Sequence, residues 1–155
     1  MQTNSEAIII ADTSCLILLS KIGELELLRL LSENVFITNT VKAEFGHLLP
    51  DWMIVKDPNS TPFQKLLERE IDPGEISAIL LAMEIPLSIL IIDDMKGRKV
   101  AQRLNLRYSG TLGLLLKAKR KGVLKEILPI LNKIRLTDFR IDNQLLLQIQ
   151  NAAGE

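Results

Sequence analysis

Apolar positions in this chain fall in short solid runs separated by amphipathic stretches, and two of the runs end in acids. Residues 8 to 16, IIIADTSCL, carry three isoleucines towards Asp12 with a Thr-Ser pair behind it, and residues 88 to 94, SILIIDD, close on Asp93 and Asp94. A short continuous apolar run is the pattern of a strand buried on both faces, as in a parallel sheet. In order, the pattern predicts a strand at 7–11, a helix over CLILLSKI capped by Thr13 or Ser14, a second helix at 24–31 and a strand at 35–38. Asn39 or Thr40 then caps a helix that carries Glu44 about one turn from its start and ends at Pro50. Three prolines make 50–62 irregular around a short strand WMIV, followed by a helix at 63–70. Pro73 and Gly74 open a helix with Glu75 in its first turn, and Pro86 turns the chain into the strand 88–92. A helix at 95–106 weakened by Gly97, an edge strand LRYS, and a helix opened by Gly110 and Thr111 and stopped at Gly122 come next. Two more helices close the chain, one at 123–134 and one over QLLLQIQNA capped by Asp142 or Asn143. This alternation predicts a three-layer α/β/α sandwich around a central, mostly parallel sheet of four or five strands.

A length of 155 residues suits one domain over 1–155, able to bury about two thirds of its unfolded surface. The one cysteine, Cys15, excludes an internal disulfide, and no Cys/His cluster points to structural zinc. The start MQTNSEAIII has no basic region, and its apolar run is too short for a signal peptide or a membrane span, so the expectation is a cytoplasmic, soluble protein with no membrane partner. The net charge of zero hides a partition: residues 1–94 hold 15 acids against 6 bases, whereas residues 95–135 hold 12 bases against Glu126 alone. Lys and Arg could simply solvate amphipathic helices there, but a basic segment that follows acid-ended strands also suits a polyanion.

Four acid positions stand out by place: Asp12, Glu44, Glu75, and Asp94 with its neighbour Asp93. Carboxylates gathered at strand ends and helix starts repel one another unless something neutralises them, and a hard cation such as Mg²⁺ or Mn²⁺ takes oxygen ligands and a substrate phosphate. Such a site activates water without a nucleophilic side chain. None is evident: Cys15 lies in an apolar run and reads as core, His47 beside Gly46 reads as structural, and no G-x-S-x-G surrounds Ser14. Taken singly, Asp12 could only cap its helix, Glu75 could only complement a helix N-terminus, and Glu44 could be a surface residue.

Together, IIIADTSCL, the T-x-x-x-E run from Thr40 to Glu44, the acid in GEISAILLA, the strand ending in DD before KGRKVA, and GTLGLLLKAKRKG resemble the PIN-domain family, the fold of VapC-type toxin ribonucleases. The resemblance covers about residues 7–122, with 123–155 as C-terminal helices, and is similar to a branch of predicted nucleic-acid-binding PIN proteins. It implies that Asp12, Glu44, Glu75 and Asp94 hold Mg²⁺ or Mn²⁺ for RNA hydrolysis, with Asp93 beside them. Asp94 is favoured because the family's strand ends T-x-D, and Ile92, Asp93 and Asp94 occupy those places. Ile92 in place of Thr or Ser, and Glu75 where the toxins mostly have Asp, depart from the pattern. Thr13 and Ser14 would position water or phosphate. Lys96, Arg98, Lys99 and Arg103, with Lys117, Lys119, Arg120 and Lys121 further on, would contact phosphates of single-stranded or looped RNA. The resemblance also implies a homodimer and a small antitoxin protein as partner. Two rivals are a PIN-fold nucleic-acid-binding module without turnover, and a receiver or haloacid-dehalogenase-like phosphotransferase, which the absence of D-x-D after the first strand disfavours.

Overall fold

Solid apolar runs become the interior of an all-parallel sheet. The computed structural model describes residues 8–155, so position 7 of the first expected strand lies outside the described residues. The strands are β1 (Ile8–Ala11), β2 (Asn34–Ile37), β3 (Met53–Val55), β4 (Ser88–Ile91) and β5 (Tyr108–Ser109). They pair in the order β3-β2-β1-β4-β5, every neighbour parallel, with Ile9 opposite Val35 on one side and Ile89 on the other. The helices are α1 (Thr13–Lys21), α2 (Glu26–Leu31), α3 (Asn39–Phe45), α4 (Phe63–Leu67), α5 (Pro73–Glu84), α6 (Met95–Arg103), α7 (Thr111–Arg120), α8 (Leu128–Arg135) and α9 (Asn143–Ala152).

Because strand side chains alternate, each strand feeds two cores. Ile9, Ala11, Val35, Ile37 and Ile91 face α1, α2, α7, α8 and α9, whereas Ile10 and Leu90 face α5 and α6. Cys15 is wholly buried in the first of these cores. Among the described residues no helix is long and apolar enough to cross a membrane.

Several helix ends differ from the sequence-based expectation, each for a local reason. The α1 N-cap position is Asp12, not Thr13 or Ser14. Thr38, not Asn39 or Thr40, caps α3: its Oγ1 accepts the Val41 N–H and bonds the Ser77 hydroxyl at 2.7 Å, joining α3 to α5, while Asn39 is drawn to Asp57. That helix ends at Gly46, left-handed at φ +72°, well before Pro50. The helix begun at Phe63 stops at Leu67, and the helix expected from 123 starts at Leu128, with Pro129 in its first turn. In α9, Leu146 and Ile149 are buried while Leu145 and Leu147 stay exposed, and Asp142 is its cap, as expected.

The chain leaves β1 for β2 and β3 on one side, then returns to β4 and β5 on the other. Ligands of open α/β sheets bind beyond the carboxyl ends of the strands at such a reversal. Here the reversal lies between β1 and β4, and the Asp12 N–H continues their ladder to Ile91 O at 3.0 Å.

Candidate functional site

Asp12 leaves β1 in extended conformation, at φ −82° and ψ 167°, and its side chain does not cap α1. It is 4% exposed, and its Oδ1 is buried with no hydrogen-bond partner. An unpaired buried carboxylate oxygen is costly, so burial pushes the acid up to about 7, opposed by a Thr13 backbone hydrogen bond and reinforced by Asp72, Glu44 and Asp93.

Glu75 is held in the first turn of α5 by a capping box: its N–H donates to Asp72 Oδ1 at 3.0 Å, and its Oε1 accepts the Asp72 N–H at 3.2 Å. It is 5% exposed. Burial again leads, raising the acid to about 8 against the Asp72 backbone bond, with the charges of Asp72, Asp12 and Asp94 adding to the rise.

Because α3 is short, Glu44 stands in its last turn and is exposed, with Oε1 accepting the Thr13 hydroxyl at 2.6 Å. The Glu44 carboxylate packs so closely over Gly74 that a methyl group there would overlap it. Asp93 is half-buried and bonded through both of its oxygens. Its Oδ1 accepts the Thr111 N–H at 2.7 Å, and its Oδ2 accepts the Thr111 hydroxyl at 2.7 Å and the Ser14 hydroxyl at 3.3 Å. Asp94 caps α6, with Oδ2 accepting Lys96 N–H at 3.0 Å and Gly97 N–H at 3.2 Å. Gly97, which weakens α6 as a helix, is what allows its first turn to pass Glu75: a methyl group there would press on Ile92 and come within 3.0 Å of Glu75 Oε2.

These five acids and Asp72 line one open groove of about 1120 Å³, with Arg69, Lys96 and Arg140 among its walls. No three of the described His, Cys, Asp and Glu side chains stand close enough together to hold a metal ion as they are placed. The donor chemistry nonetheless fits a hard divalent cation: an orphaned carboxylate oxygen, two acids whose ionisation the fold penalises, and an open groove that leaves space for the waters Mg²⁺ keeps.

The basic residues divide. Lys96 lines the groove, and Lys99 and Arg103 follow it along α6. Arg98 turns inward, its Nε donating to Ile92 O at 3.0 Å and its guanidinium filling the space a side chain at Gly110 would need. The segment 117–121 lies along the second half of α7, about 9 to 15 Å from the Thr111 end that holds Asp93. There Lys117 lines a separate, mainly apolar pocket, Lys119 pairs with Glu155 at 2.7 Å, and Arg120 and Lys121 are exposed. His47 stacks edge-on against Phe45, and Cys15, its thiol pushed up by burial, is closed off in the core. Sequence reading missed Asp72, Thr111, Arg69 and Arg140. Only Asp72 carried a local signal, the D-P-G-E spacing of a capping box.

The model of a protein family described as a PIN domain matches residues 8–155 of this chain. No curated protein matches it significantly.

Proposed function

The chain belongs to the PIN-domain family, whose members are in general nucleases using divalent metal ions, and from that premise we propose that it is a metal-dependent endoribonuclease. The observation that carries this reading is Asp12 Oδ1, buried and without a partner in an open groove that Glu44, Asp72, Glu75, Asp93 and Asp94 also line. A buried, unpaired carboxylate oxygen is stabilised by a positive charge beside it, which supports a bound cation in the groove.

In this reading Asp12, Glu44, Glu75 and Asp94 hold Mg²⁺ or Mn²⁺. The chemistry supplied by the bound ion is activation of water and neutralisation of charge on the phosphoryl oxygens. The chain's own side chains do the positioning. Thr13 fixes the Glu44 carboxylate, and the Asp72 capping box aims Glu75 into the groove. Thr111 and Ser14 hold Asp93 by both of its oxygens, which suits Asp93 to orienting the site and leaves ligation to its neighbour. Asp94 spends one oxygen on the α6 cap, and its Oδ1 accepts no hydrogen bond among the described residues. No protein nucleophile is needed: Ser14 is committed to Asp93, and Cys15 is buried. The narrower form of the proposal is a VapC-like toxin, cytoplasmic, acting on single-stranded or looped RNA as a homodimer restrained by a small antitoxin protein.

The test is cleavage of a mixed RNA pool by purified protein with Mg²⁺, with Mn²⁺ and with EDTA, beside Asp12→Asn. Metal-dependent cutting lost in the variant is the expected result. RNA bound equally by both proteins, with no cutting under any ion, would overturn the nuclease in favour of a binding module.

A further inference from the structure

We propose that a second, cationic cleft beside the acidic groove is a subsite for phosphates of the RNA strand flanking the bond to be cut, an assignment that rests on the nuclease reading above. The cleft encloses about 440 Å³ and is lined by Arg69, Glu70, Lys96, Lys99 and Arg103. Four of these five side chains are cations, and the one acid is already spent, since Glu70 Oε1 accepts Arg103 Nη2 at 2.7 Å. Among the described residues, the side chains of Arg69, Lys96 and Lys99 make no hydrogen bond or ion pair. Unpaired cations gathered in one cleft repel one another unless an anion joins them.

Its position says which anion. Arg69, Glu70 and Lys96 line both the cleft and the acidic groove, so the two are continuous. Lys96, Lys99 and Arg103 follow the three- and four-residue spacing of one helix face, and their stripe starts two residues after Asp94 and runs about 10 Å down α6. Arg69, from the turn between α4 and α5, forms the opposite wall. A flexible polyanion can therefore lie with one phosphate among the acids and the next ones between Arg69 and α6. This division of labour matters because the acids alone repel RNA, so capture has to come from cations near them rather than from the remote end of α7.

The probe is a set of fluorescein-labelled oligouridylates of increasing length, with binding followed by anisotropy at low salt in EDTA, where nothing is cut. The wild-type protein should bind the longer strands more tightly. Arg69→Glu with Lys99→Glu should weaken binding roughly tenfold or more, while Arg120→Glu with Lys121→Glu at the far end of α7 should change it less than about twofold. The milder pair Arg69→Gln with Lys99→Gln should lower the slope of log affinity against log salt by about 1.4, as two lost single-strand phosphate contacts require. No binding by the wild type, or equal losses in the two charge-reversed pairs, would overturn the cleft. Metal-dependent cleavage that persists while the cleft variants bind normally would remove the cleft and leave the nuclease standing. Binding lost only with the cleft, in a protein that cuts under no ion, would support the cleft and remove the nuclease.

Discussion

Thr111 grips Asp93 twice, its N–H donating to Oδ1 and its hydroxyl to Oδ2, both at 2.7 Å. The pairing joins the start of α7 to the end of β4 across the mouth of the sheet, and Ser14 adds a third donor from α1. Asp93 is thereby held by donors from two distant parts of the chain.

Replacing Thr111 by Val keeps the backbone donor and the shape but removes the hydroxyl. Stability should fall by about 1 kcal/mol. If Asp93 orients the ligands, metal-dependent cleavage should drop roughly 10- to 100-fold, mostly in kcat, and Thr111→Ser should restore most of it. A stability loss with unchanged kcat would mean that the bond only packs α7 against the sheet.

The pH dependence of stability follows from the two raised acids, Asp12 moving from 3.8 to about 7 and Glu75 from 4.5 to about 8. Between those values the folded protein holds protons that the unfolded chain has released, so metal-free stability falls as pH rises from about 4 to about 8 and then levels. The two acids interact, and their joint effect is on the order of a few kcal/mol. In EDTA, thermal melts should show a higher Tm near pH 5 than at pH 8 or above, with Asp12→Asn flattening the profile by stabilising the alkaline end.

Divalent cations should reverse that trend. At pH 8, Mg²⁺ or Mn²⁺ at about a hundred times its dissociation constant should stabilise the wild type by about 2.7 kcal/mol, read as a rise in Tm that EDTA removes. Asp12→Asn and Glu75→Gln should each abolish most of the rise. Equal stabilisation of wild type and both variants would place the ion elsewhere.

Gly74 separates fold from site. A methyl group there collides with the Glu44 carboxylate, the far end of an exposed, flexible side chain that can swing aside. Gly74→Ala should therefore change stability by less than about 1 kcal/mol while displacing Glu44 and weakening the metal-induced Tm shift. A normal shift in that variant would exclude Glu44 from the metal site.

Strands and their burial are encoded over short range. Runs such as IIIA and SILI, bounded by helical periodicity, require strands buried on both faces, hence a parallel sheet. Acids directly after two such runs then stand at the carboxyl edge of that sheet, so Asp12, Asp93 and Asp94 were legible as neighbours before any coordinate. The capping of α9 by Asp142 and the stop at Gly122 were equally local.

Tertiary structure alone decided how each of those acids is used. Ser14 meets Asp93 across 79 residues and Thr13 meets Glu44 across 31, and no spacing rule reaches so far. Ser14 and Thr111 bond both oxygens of Asp93 while Asp12 Oδ1 stays bare, a difference invisible in a string where both are simply acids after strands. The same holds for the cations. Composition counts 95–135 as one basic segment, but the turn of α6 buries part of Arg98, and the length of α7 carries 117–121 away from the groove. Arg69, from the acid-rich half of the chain, comes to stand beside Lys96 instead. Local pattern sets which element a residue joins, whereas the partner of a side chain is set only when the sheet closes and brings distant elements to one edge.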